Sequence, residues 1–277
     1  MIGSSLQSKP LPTWENAKEK LSKSEPISTD HEAELVCRLK TSIDILPDKE
    51  RQCFLDLGAF PEGRRLGVGS LLDIWIYVRK MTWLDAFDVS LELASRNLMH
   101  LTGYGEGSAA INYHCASELS FSQHDVMRDL ALHLSNQDSN ILCKRLFMPR
   151  KEANIPTEWL SAAQSSSAQF VSIHTGAMRE EDWGQINFPK VEALTLFFDA
   201  KQYCLPTFLQ SMSNLKVLIV YNYSSQHVTL SGLPSFPSSV QIRSVLLYKL
   251  IVPSSFYENC RSWERLEKLY ICLCGVG

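Results

Sequence analysis

Four short segments of the chain share one pattern: VEALTL (191–196), LKVLIV (215–220), IRSVLL (242–247) and LEKLYI (266–271) all read apolar-x-x-apolar-x-apolar. Their central positions, Leu194, Leu218, Val245 and Leu269, lie 24, 27 and 24 residues apart. A weaker copy, FVSI at 170–173, places Ile173 21 residues before Leu194. A unit of roughly 20–29 residues cannot bury its own apolar face, so it stacks on its neighbours, each turn giving one short parallel strand and a return segment. Pro206, Phe208 and Leu209, and again Pro253 and Phe256, fit return segments packed under the strands. Four strands of an ordinary antiparallel sheet would give no reason for the recurring interval. Residues 166–277 are therefore expected to form an irregular α/β solenoid. Strand-face positions such as Glu192, Thr195, Lys216 and Lys268 are expected to meet a partner.

The first half of the chain has another rhythm. Residues 1–30 are interrupted by Pro10, Pro12 and Pro26 and read as the end of something larger. From His31 the spacing predicts a run of short amphipathic helices. Leu35, Leu39, Ile43 and Leu46 mark the first, and Cys53, Phe54, Leu57 and Phe60 the second, stopped by Gly58 and Pro61. Val68, Leu71, Leu72 and Trp75 mark the third, and Leu84, Phe87, Leu91 and Leu98 the fourth. After Asn97, Gly103, Gly105 and Gly107 separate short runs that can pair as an antiparallel hairpin, and a last helix follows. Helices, a two-stranded wing and a closing helix make residues 31–140 a winged-helix-like module, joined by a linker over 141–165 to the repeats. The fold class expected is thus α+β and multi-domain.

Composition removes several functions. The net charge of -3 supplies no basic field for a nucleic acid. The closing helix carries Arg128 as its only arginine, no lysine, and both Asp125 and Asp129, which repel phosphates along a groove. Eight scattered cysteines (Cys37, Cys53, Cys115, Cys143, Cys204, Cys260, Cys272, Cys274) read as free thiols of a reducing, cytoplasmic compartment, not as a metal site. His114 and Cys115 have no second pair at usable spacing. The opening MIGSSLQSKPLPTWENAKEK has no basic segment leading into an apolar core and is not expected to act as a secretory signal, and no apolar run is long enough for a membrane span. Trp75 falls on an apolar helix face, and the REED run at 179–182 reads as a solvated turn. No catalytic set can be nominated, so the chain is read as a non-enzyme.

The stretch SFSQHDVMRDLALHLS (120–135) holds the candidate site. Ser122 with Asp125 three residues on has the form of a capping box, leaving Gln123 and His124 in the first turn. A helix start also presents free N–H groups and a positive dipole end, where a histidine can add a hydrogen bond to a phosphate. Both readings use the same geometry.

The ordered set CFLDLGAFPEG (53–63), LLDIW (71–75), SRNLM (95–99) and QHDVMRDLALH (123–133), followed by the repeats, resembles plant nucleotide-binding leucine-rich-repeat immune receptors. The likeness is greatest to the helper subgroup of activated-disease-resistance and N-requirement-gene types. GSSLQSKPLPTW (3–14) resembles the segment after that family's GLPL motif, making 1–30 the remnant of its ARC1 subdomain and 31–140 its ARC2 subdomain. The resemblance implies leucine-rich repeats over 166–277. The asparagine that usually closes each repeat is replaced by Asp199, Tyr223, Leu250 and Cys274. It also implies that Gln123, His124 and Asp125 form the tripeptide that is usually Met-His-Asp, with His124 contacting the β-phosphate of ADP in a switch that opens on exchange for ATP. Partners implied are other immune-receptor domains or chains and lipase-like immune heterodimers, with nuclear or membrane-associated locations for a full receptor. The chain departs from the pattern in having no GxxxxGK[ST] loop and no strand ending in paired acidic residues. The alternative is a repeat-based scaffold or decoy that binds no nucleotide.

Overall fold

The computed structural model describes residues 40, 43–103, 119–137, 144–148, 151–152, 154–160, 167–231, 241–261 and 263–276. The segment expected to be a remnant, 1–30, lies outside them. The chain divides into two compact units, Met1–Arg51 and Gln52–Gly277. In the first, Ile43 and Leu46 are buried, and the Leu46 amide donates to the Ile43 carbonyl at 3.1 Å.

The second unit opens within helix α1 (Asp48–Asp56), whose Cys53, Phe54, Leu55 and Asp56 are buried. The single helix expected to reach Phe60 instead tightens into a 3-10 turn at Leu57–Ala59. Pro61 clashes with a helical residue before it, and Phe60 accordingly turns to extended backbone (φ -98, ψ 146). Helix α2 (Val68–Tyr77) buries Val68, Leu71, Leu72, Asp73, Ile74 and Trp75. A helix apolar on most sides must be covered on more than one, and α2 lies between helix α3 (Trp83–Ser95) and the large sheet. Helix α3 starts on a capping box in which the Asp85 amide donates to Thr82 Oγ1 at 3.1 Å. It ends where Asn97 takes the left-handed conformation (φ 57) and the Leu98 amide reaches back to the Leu93 carbonyl at 2.9 Å. Strands β1 (Leu66–Gly67), β2 (His100–Gly103) and β3 (Leu119–Ser122) form an antiparallel sheet in the order β1-β3-β2. The antiparallel pairing expected from the glycines is present between β2 and β3, with β1 added as a third strand. Helix α4 (Asp125–Gln137) closes this part and buries Leu130, Ala131 and Leu134.

The rest is parallel. Strands β4 (Lys144–Phe147), β5 (Ala168–Thr175), β6 (Ala193–Phe198), β8 (Val217–Asn222), β10 (Ser244–Tyr248) and β12 (Lys268–Cys272) form one six-stranded sheet in chain order. After each of the last four, the chain adds a short strand to a second parallel sheet: β7 (Tyr203–Cys204), β9 (Val228–Ser231), β11 (Leu250–Val252) and β13 (Gly275–Val276). The return then runs through a 3-10 turn at Thr207–Ser211, or through helix α5 (Ser254–Arg261). The repeat positions stand opposite one another: Leu194 pairs Leu218, Leu218 pairs Val245, and Val245 pairs Leu269. Two details differ from the sequence reading. Leu194 pairs Val171, not Ile173, and Leu146 pairs Val171 in turn, so β4 joins the sheet from within the segment expected to be linker. In the sequence, Cys143, Leu146 and Met148 keep the same apolar-x-x-apolar-x-apolar offsets, with Leu146 25 residues before Val171, so this copy is present but passes unrecognised in the linker reading.

The two faces of this sheet serve different cores. Val171, Leu194, Leu196, Phe198, Leu218, Val220, Val245 and Leu247 point into the core between strands and returns, with Trp183, Phe188, Phe208 and Phe256. The opposite face was expected to meet a partner; it is covered by the chain's own helical part. Thr195 is fully buried, and Ser244 Oγ donates to the Asp73 carboxylate of α2 at 2.6 Å. Lys268 bonds the same carboxylate, and Lys216, paired with Glu192, donates to the Tyr77 carbonyl at 3.3 Å. Farther along, the Ala59 carbonyl accepts from Ser172 Oγ at 2.5 Å and from His174 Nε2 at 3.2 Å, and the Phe60 ring meets Phe197 edge-on at 6.0 Å.

A buried ionic group ties the same two parts. Asp56 is fully buried and accepts from Arg79 Nε at 2.9 Å and Arg145 Nε at 2.8 Å; Arg145 Nη2 also donates to the Gln52 side chain at 2.8 Å. Burial pushes the Asp56 carboxyl up, but the two guanidinium groups outweigh it and hold the group below its ordinary value. Removing one partner of such a group leaves charge buried and uncompensated. Asp56→Asn is expected to cost about 3–5 kcal/mol in urea unfolding. His174 gives a pH signature: burial, and then the nearby Arg128 charge, lower it to about 3. Its neutral form is favoured by the fold, so stability is complete above the unfolded value of about 6.5 and declines by about 1.4 kcal/mol per pH unit as pH falls toward 3. Unfolding midpoints of the chain and of His174→Gln, measured across that window, should converge as pH falls.

Candidate functional site

The Gln123-His124-Asp125 turn links β3 to α4. Phe121 and Ser122 are strand residues, paired with Leu101 and His100, so the backbone turns only after Ser122. The first helical bond runs from the Arg128 amide to the His124 carbonyl at 3.0 Å. This corrects the expected cap: Ser122 belongs to the sheet, and His124 stands at the residue before the helix. Strand pairing satisfies a backbone group at Ser122 and places its side chain too early to cap α4.

The helix end is occupied by the chain's own groups. The Val126 amide donates to Asp125 Oδ1 at 2.7 Å, with His124 Nδ1 at 3.4 Å. His124 Nδ1 also contacts the Asp125 carboxylate, and both side chains are about two-thirds exposed (65% and 61%). A carboxylate therefore sits where the helix end favours negative charge, with an imidazole beside it on the solvent side. The arrangement suits anion contact: the imidazole can donate, and the backbone N–H can be handed over if Asp125 rotates away.

Gln123 behaves differently from its two neighbours. Its side chain is buried, and neither amide atom has a hydrogen-bond partner among the described residues. Its carbonyl accepts from the Gly63 amide at 3.5 Å, bringing the Pro61–Arg65 loop against the turn. Gly63 has φ +62, a left-handed conformation that strains residues with a Cβ. The next residue, Arg64, stacks over the Tyr223 ring at 5.1 Å just beyond β8. From α4, Arg128 is itself buried and donates through Nε to the Phe60 carbonyl at 2.6 Å and through Nη2 to the Met148 carbonyl at 3.4 Å.

Other nominated residues fall as follows. Trp75 is core. Arg179–Asp182 forms a largely exposed turn in which the Arg179 amide donates to Asp182 Oδ2 at 2.8 Å. Cys53, Cys204, Cys260, Cys272 and Cys274 are free thiols; Cys37, Cys115 and Cys143, with His114, lie outside the described residues. Among the described residues no three His, Cys, Asp or Glu side chains converge as a metal centre requires. Among them, too, no helix is long and apolar enough to cross a membrane.

Sequence reading missed Asn222, which is fully buried and donates to the Gln226 carbonyl at 2.8 Å and the Lys249 carbonyl at 2.9 Å. It does the work expected of Tyr223, one residue earlier. Cys274 Sγ makes the related contact in the last turn, donating to the Leu247 carbonyl at 3.4 Å. His174 and Arg128 were also missed as interface residues. Arg128 was visible as the lone arginine of a helix whose neighbouring charges are acidic.

An amide buried without partners costs more than an apolar side chain of similar length. Gln123→Met is therefore expected to stabilise the chain by about 1–3 kcal/mol in thermal or urea unfolding.

No family model matches the chain. Three Arabidopsis thaliana proteins named as disease resistance proteins align with all of it. Two are 35% and 37% identical, over 279 and 278 positions, and the chain covers 44% and 34% of their lengths. The third, disease resistance protein ADR1, is 34% identical over 279 positions, 35% of its length. The chain thus spans less than half the length of each of these three relatives. With this identity sustained from end to end, the chain belongs to the plant disease resistance proteins of the ADR1 type.

Proposed function

We propose that the chain is the winged-helix portion of an ADP/ATP-dependent switch joined to leucine-rich repeats, and that it serves plant defence signalling as a helper-type protein acting by contact, not by catalysis. The observation that carries this reading is the Gln123-His124-Asp125 turn, at the start of a 13-residue helix, with its imidazole toward solvent. The antiparallel β1-β3-β2 sheet with α2 to α4 supports the winged-helix assignment. The parallel strands recurring every 24 to 27 residues support the repeats.

The residues present fit a phosphate in part. The His124 imidazole and the first helical N–H groups suit an anion, while the Asp125 carboxylate holds the place and opposes it until it turns aside. When bound, the nucleotide would supply the charged group that replaces that carboxylate. One such contact is worth about 1–3 kcal/mol, against roughly 8 kcal/mol for micromolar binding. The phosphate loop must therefore come from another segment or chain. Other immune-receptor domains are the natural source, and lipase-like immune heterodimers the natural signalling partners, in the cytoplasm or at a nuclear or membrane location.

The carboxylate at the helix start also favours the second reading, a repeat-based scaffold or decoy that binds no nucleotide. Calorimetric titration with ADP separates them, using the chain alone and then mixed with a separately expressed phosphate-loop portion. The switch reading expects heat only in the mixture, weakened about tenfold or more by His124→Ala. No heat in either titration rejects it in favour of the scaffold.

A further inference from the structure

Between the Gln123-His124-Asp125 turn and the parallel sheet runs one segment, Leu57–Arg65, bonded on both sides. On the sheet side, the Ala59 carbonyl accepts from Ser172 and His174, Phe60 packs on Phe197, and Arg64 covers Tyr223. On the turn side, the Gly63 amide donates to the Gln123 carbonyl at 3.5 Å, and Phe60 meets Phe121 of β3 at 5.0 Å. Arg128 joins these sets. Its own amide makes the first helical bond to the His124 carbonyl, while its guanidinium holds the Phe60 carbonyl and the Met148 carbonyl. Met148 in turn donates its amide to Ser172, the residue that holds Ala59.

We propose that Arg128 is a positioning residue that couples the His124 end of α4 to the parallel sheet, so that a change on the sheet moves the imidazole. This rests on the reading of His124 as a nucleotide sensor, since coupling matters only if the imidazole meets a ligand. The chemistry favours coupling over plain packing. A buried guanidinium is costly, and an apolar side chain fills such a space more cheaply. A rigid fork reaching two carbonyls on different elements fixes their relative position, which a single flexible ammonium does not. By linkage, whatever the sheet does to His124, a ligand at His124 does to the sheet.

The test reads the ring signals of His124 by NMR in the full chain, without nucleotide. Ser172→Ala removes the bond to the Ala59 carbonyl at the sheet. In the otherwise unchanged chain it should shift the His124 ring signals and the Arg128 Nε–H signal together. In an Arg128→Lys background the same substitution should leave His124 unmoved. Equal His124 shifts in both backgrounds, or none in either, would overturn the proposal. If Arg128→Lys fails to fold, the Arg128 Nε–H signal alone decides: it must move with His124 when Ser172 is changed, and a stationary signal beside a shifted imidazole rejects the coupling. Because no nucleotide enters, failure here removes the coupling and leaves the ADP reading to its own titration.

Discussion

Everything in the larger unit depends on how one face of the six-stranded sheet is covered. A parallel sheet whose strands bury both faces needs a second layer on each. The return segments supply one. Helix α2 and the Leu57–Phe60 turn supply the other, against Thr195, Phe197, Ser172, His174 and Ser244. Without that cover, polar and aromatic side chains of a sheet face would lie open, and Asp73 of α2 would lose its Ser244 and Lys268 partners. The helical part and the repeats are therefore layers of one structure.

The contacts across that face are largely ionic or hydrogen-bonded. Asp73 meets Ser244 and Lys268, Asp56 meets Arg79 and Arg145, and Arg128 meets two carbonyls. Burial raises the Asp73 carboxyl, against the hydrogen bonds from Lys268 and Ser244. Apolar contact alone tolerates sliding, whereas each of these groups loses its partner when the layers shift. The expense of burying them is met by a fixed register. For function, Glu192, Thr195, Lys216 and Lys268 serve internal contacts, so a partner of the folded chain must engage other surfaces or displace α2.

Much of this was legible in the residues. The interval between Leu194, Leu218, Val245 and Leu269 gave a parallel order and a register that the strand pairing reproduces, because each turn must place equivalent side chains in one core. The antiparallel β2–β3 pairing followed from glycine spacing. What was hidden depends on distant residues. The copy centred on Leu146 kept the apolar offsets at Cys143 and Met148 but was passed over as linker, and the contact of Arg145 with Asp56, 89 residues earlier, could not be read locally. Asn222 stood one place before the expected ladder position, at the last residue of β8. The apparent capping box at Ser122 is a local signal overruled by strand pairing, while the genuine box at Thr82 and Asp85 passed unnoticed. The covered face could not be read at all: nothing local in Thr195 or Lys268 distinguishes a residue awaiting a partner from one already holding it.

Native-state hydrogen exchange tests the single-body account most directly. The slowest amides of α2 and of β6, β8 and β10 should open with one common free energy, and Asp73→Ala should lower all of them together. If Asp73→Ala speeds exchange in α2 while the sheet amides keep their protection, the helical part and the repeats open separately, and the account is contradicted.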